Sequence, residues 1–188
     1  DALPISPPLD DVVQSETARA ALAALRATPE PLFGVFDSAR DMRILELLRE
    51  SVEEVVSLYD GQAGEAMADA APYLVSFPRA RESGSPASSL LERLVSEGWG
   101  RSWGVYVTSA RPLVEVRRQL RRHLIVVNDE SEERLYFRFY DPRVLRAFLP
   151  TCLPKQRSEM FGELSRFLME GEAGDVIAFE KGAAHGGT

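Results

Sequence analysis

Three times along this chain a short apolar run ends in an aromatic residue followed by aspartate: Phe36-Asp37, Tyr59-Asp60 and Tyr140-Asp141. This recurrence constrains the fold more than any other feature. It reads as strands that stop abruptly and hand over to helices or turns, so the expected architecture is a sheet covered by helices. The stretch LYFRFYDPRVLRAFLP (135–150) shows the pattern at its fullest. Alternation predicts Leu135, Phe137 and Phe139 on one strand face and Tyr136, Arg138 and Tyr140 on the other. Asp141 fits a helix N-cap and Pro142 the first helical position, where no amide donor is needed. Val144, Leu145, Phe148 and Leu149 recur at helical spacing until Pro150 halts the run.

The same reading places strands at 32–39, 55–61, 73–77, 103–110 and 175–180, with a hairpin over 125–141 around an acidic loop. Helices are expected over 15–28, 40–51, 62–70, 111–124 and 154–170, the last with Met160, Phe161, Leu164, Phe167 and Leu168 inward. Asp37 or Ser38 is expected to cap the helix at 40–51. Ser89, with Glu92 three residues on, forms a capping box for another helix whose apolar face is Leu90, Leu91, Leu94 and Val95. Residues 1–30 read as an extension with an alanine-rich helix, 31–180 as a single domain and 181–188 as a flexible tail. The stretch 78–88 reads as a surface loop. The fold class is mixed α/β: a mixed sheet of about five to six strands with helices on its faces.

Composition narrows the function. With 188 residues and 45% hydrophobic content the chain can bury a substantial core. No apolar run is long enough for a membrane span, and a formal net charge of −7 argues against nucleic acid as a partner. The single cysteine, Cys152, excludes an internal disulfide, and a bacterial cytoplasmic protein is the expectation. His123 and His185 lack metal-ligand spacing. Nucleotide loops and nucleophile motifs are missing as well, so no cofactor and no enzymatic activity are expected.

Several groups admit two readings. Asp37, Asp60 and Asp141 are helix or turn caps, or alternatively carboxylates gathered around a divalent metal in a small hydrolase. Arg117, Arg118, Arg121 and Arg122 share one side of a helix whose Leu113, Leu120 and Leu124 face the core. They form either a solvated face or a docking patch for an acidic partner. Arg138 either pairs with a nearby carboxylate or, with Tyr136 and Tyr140, presents a protein-binding surface. Trp99 and Trp103, in GWGRSWG (98–104), serve packing or an aromatic contact surface.

In order along residues 31–155, LFGVFDSARDMRIL, LYDGQAGEAMADAAPYLVSF, GWGRSWGVYV, VRRQLRRHL and LYFRFYDPRVLRAFLPT together resemble the type VI secretion effector chaperones of the Tap/TEC adaptor family. The most specific pieces are FRFYDPRVL and GWGRSWG. The resemblance implies a non-enzymatic adaptor that binds a secreted effector and helps load it onto the VgrG spike in the producing cell. A plain interaction module outside secretion is the alternative among non-enzymes. Many members carry a further helical lobe, for which only about thirty residues remain here after FYDPRVL.

Overall fold

The computed structural model describes residues 9–78, 86–127 and 133–182. The loop expected at 78–88, the hairpin's acidic loop and the tail with His185 lie wholly or partly outside these residues. The chain opens with α1 (Leu9–Arg26), β1 (Leu32–Asp37), α2 (Met42–Arg49), β2 (Val55–Ser57) and α3 (Gly61–Ala66). Next come β3 (Pro72–Phe77), α4 (Pro86–Gly98), β4 (Gly104–Thr108) and α5 (Leu113–Arg121). A short hairpin of β5 (Ile125–Val127) and β6 (Arg134–Tyr136) precedes α6 (Pro142–Phe148), α7 (Pro154–Phe161), β7 (Arg166–Glu170) and β8 (Val176–Glu180).

Six strands form one sheet in the order β2-β3-β1-β4-β7-β8, while β5 and β6 pair only with each other. The mixed α/β class is present. Strand direction differs from expectation, since every ladder is antiparallel. β1 lies inside the sheet, and its side chains alternate between two cores. Leu32 and Phe36 join α1, α2 and α4 through Leu25, Ile44, Leu47 and Leu91. Phe33 and Val35 join α5, α6 and α7 through Val116, Leu120, Leu145 and Phe161. The sheet is thus the middle of three layers.

Ala18, Ala21 and Leu25 of α1 are buried in the first core. The helix expected in an extension is therefore a packed part of the domain. The helix expected over 154–170 stops at Phe161, and Phe167 and Leu168 belong to β7 instead. Gly162 ends α7 with φ +51°, and β7 pairs Leu168 with Tyr106 on the edge of β4. The spacing of Leu164, Phe167 and Leu168 fits a helix equally well, and a partner some sixty residues earlier, invisible to any local window, decides for the strand.

The alternation expected over 135–140 also fails. β6 ends at Tyr136; Leu135 is exposed, whereas the adjacent Phe139 and Tyr140 are both buried in the loop before α6. Ser89 falls inside α4, which begins three residues earlier, and so does not occupy the N-cap.

Candidate functional site

The ends of β1 and β2, the loop before α6, the hairpin and α5 meet on one side of the molecule. Asp37, the last residue of β1, is 1% exposed and pairs with the half-exposed Arg138. It also accepts the Ala39 amide at 3.2 Å, but the N-cap of α2 is Asp41, which accepts the Arg43 amide at 2.9 Å. Asp37 therefore caps the turn after β1, and the helix-capping role expected of it is corrected. A carboxylate on the second-core face of β1 sits too far upstream to reach the free amides of a helix that starts at Met42. Arg138 is the structural ion pair anticipated as one of its two readings. Burial is the largest single influence and works against its charge, but the bond to Asp37 and the charges around it, Asp37's first, together raise its pKa.

Arg138 also lies 5.9 Å from the centre of the Tyr140 ring. The Tyr140 phenol is pushed up, first by burial and then by its hydrogen bond with Tyr59. Tyr59 in turn lies edge-on to Tyr136, with ring centres 6.4 Å apart. Tyr140 itself is buried, so the expected exposed Tyr-Arg-Tyr face does not form; Tyr136 and part of Arg138 reach solvent.

The four arginines of the basic segment divide in two. Arg117 donates to the Ser57 and Tyr59 carbonyls at 2.8 and 3.4 Å. Arg121 holds Asp60 at 2.5 Å, with Arg117 3.5 Å away. Hydrogen bonding from Arg121, reinforced by the two positive charges, keeps the Asp60 carboxyl below its ordinary range. These two arginines fasten α5 to the end of β2. Arg118 and Arg122 are exposed and form no ion pair among the described residues. Leu113, Leu120 and Leu124 face the core as expected, and Val116 joins them. Beside Arg122, the His123 imidazole is pushed down, chiefly by burial.

Asp141 caps α6 as expected, accepting the Arg143 amide at 3.0 Å. Burial opposes its charge, but the side chain and backbone of Arg143 hold its carboxyl below the ordinary range. Asp37, Asp60 and Asp141 are thus each engaged by a different arginine. Among the described residues no group of three or more His, Cys, Asp or Glu is placed to hold a metal ion.

Trp99 and Trp103 are each 3% exposed and belong to the first core, so they pack and display no aromatic surface. The loop that carries them is ordered by Glu170, a residue that no sequence pattern singles out. Its carboxylate accepts the Gly100 and Ser102 amides at 2.6 and 2.8 Å and the Ser102 hydroxyl at 3.1 Å. Acidic residues at strand ends are common, and only the pairing of β7 beside β4 brings this one to the loop.

Leu58, Tyr59, Arg121, Leu124, Ile125 and Tyr136 are among the residues lining a groove of about 260 Å³ between the hairpin and α5. Ile125, Val126, Leu135 and Tyr136 of the hairpin are all exposed, Tyr136 to 67%. The arrangement combines exposed apolar pairs on the hairpin, a tyrosine and, from α5, Arg121, the residue types of a contact surface.

Comparison with known protein families matches residues 32–159 to one described as a domain of unknown function (DUF4123). No curated protein and no solved structure matches. The matched span leaves out α1, β7 and β8.

Proposed function

Taking as premise that this chain belongs to the DUF4123 family, which is in general associated with type VI secretion effector adaptors, we propose that it is an effector adaptor without catalytic activity of its own. It binds one secreted effector in the cytoplasm of the producing bacterium and promotes its loading onto the VgrG spike. Family membership carries this reading. The exposed apolar hairpin supports it, because a carrier needs a surface complementary to a client. So does the engagement of the strand-end aspartates by arginines, which leaves them poorly suited to the metal-dependent hydrolysis otherwise suggested by their positions.

Co-expression with the effector encoded beside its gene is expected to raise that effector's solubility, with the two proteins eluting together on size exclusion. Deleting the gene is expected to abolish secretion of that effector while the apparatus continues to fire. Normal export of the effector, or arrest of all secretion, would overturn the reading.

A further inference from the structure

Among the described residues the main sheet has two edges, β2 and β8, each with a single neighbour. Along an edge strand the N–H and C=O groups alternate between that neighbour and the outside, so every second residue is offered to another chain. The ladders identify these residues. The Lys181 amide donates to the Ser165 carbonyl and the Gly171 amide to the Asp175 carbonyl. With Arg166 opposite Glu180 and Glu170 opposite Val176, the odd-numbered residues of β8 face β7, and Val176, Ala178 and Glu180 face outward. On β2 the Ser76 amide bonds the Glu54 carbonyl and the Leu58 amide the Pro72 carbonyl. By the same rule Val55 and Ser57 face outward there.

At both edges an arginine from a helix takes an outward carbonyl. Arg117 of α5 donates Nε to Ser57 at 2.8 Å, and Arg157 of α7 donates Nη2 to Glu180 at 2.8 Å. The Arg157 guanidinium carbon lies 5.1 Å from the centre of the Phe161 ring and 5.9 Å from that of Phe179. Its Nε and Nη1 are buried and make no hydrogen bond among the described residues. Buried donors without partners destabilise, so packing alone would favour an apolar side chain at this position. The bond to the strand edge is what the guanidinium adds. Two β8 strands paired antiparallel about Ala178 would set Val176 of each copy opposite Glu180 of the other. Each Val176 amide would then need the Glu180 carbonyl that Arg157 already holds, and a guanidinium 2.8 Å from an outward carbonyl stands in the incoming strand's path. We propose that Arg157 is an edge guard, which closes β8 against strand addition by a second copy of this chain.

The test compares the full chain with two variants by sedimentation velocity across a concentration series. Arg157→Met keeps an unbranched stem across the two rings and removes the donor. It is expected to self-associate at least tenfold more tightly than wild type. Hydrogen exchange locates the contact: the outward Val176 and Ala178 amides should exchange fast in wild type at every concentration, and gain protection in Arg157→Met as concentration rises. Adding Ala178→Pro removes an outward N–H that the ladder to β7 does not use, so the double variant should return to wild-type association. Wild-type association by Arg157→Met, or association that survives Ala178→Pro, would overturn the proposal. Concentration-dependent protection of Val176 or Ala178 in the wild type would overturn it too, and that arm holds even where Arg157→Met fails to fold.

Discussion

The loop at 98–104 and the β5–β6 hairpin are both short and both carry large aromatic or aliphatic side chains, yet they meet water in opposite ways. In the loop the tryptophans are buried, Trp99 donates its indole N–H to the Gly174 carbonyl at 2.8 Å, and Glu170 satisfies the turning backbone. Gly100 and Ser102 adopt positive φ there, at 86° and 57°. The hairpin is held by its own ladder and by the Phe137 amide on the Leu124 carbonyl at 2.9 Å. Composition therefore does not tell a buried loop from an exposed hairpin. What separates them is whether a distant strand supplies partners for the polar backbone, because a turn can be buried only when its amides are satisfied.

The largest effect is expected for Trp103→Ala. Loss of a fully packed indole is expected to lower stability by about 3–5 kcal/mol, measured by denaturant unfolding. A change below about 1 kcal/mol would mean that the loop is no more structural than the hairpin. Glu170→Ala comes next, at about 1–3 kcal/mol, because it leaves the buried Ser102 amide and the part-buried Gly100 amide without their acceptor. Hydrogen exchange at those two amides should accelerate together, and unchanged protection would show that the carboxylate does not order the loop. The smallest effect is expected for Tyr136→Ser, within about 0.5 kcal/mol, since its ring is mostly in water. A loss comparable to that of Trp103→Ala would place the hairpin in the core and erase the contrast.

Much of this organisation is legible locally. The Asp141-Pro142 signal gives the start of α6 because an N-cap and its first turn lie within a few residues of each other. The apolar face of α5 follows from its 3.6-residue period, and β1, β3 and β4 from short apolar runs between turns. What escapes is decided at long range. The recruitment of Asp37 by Arg138 joins residues a hundred positions apart. The inward use of Arg117 and Arg121 depends on where β2 ends, so the i,i+4 pairs Arg117/Arg121 and Arg118/Arg122 show a charged face without showing which charges are already engaged. The burial of Tyr140 beside Phe139 contradicts strand alternation because the strand has already ended at Tyr136.

The family match closes at residue 159, but the sheet closes with β7 and β8. During synthesis β4 emerges long before its outer neighbour, and at ~5–20 residues per second its edge stays open for several seconds. Tyr106 and Val107 then lie on an unpaired apolar ribbon, the kind of edge that recruits strands from other chains. A protein proposed to shield another's sticky surfaces thus passes through a nascent stage in which it needs shielding itself. Fragments trimmed to the matched span should stay at that stage, aggregating where the full chain folds.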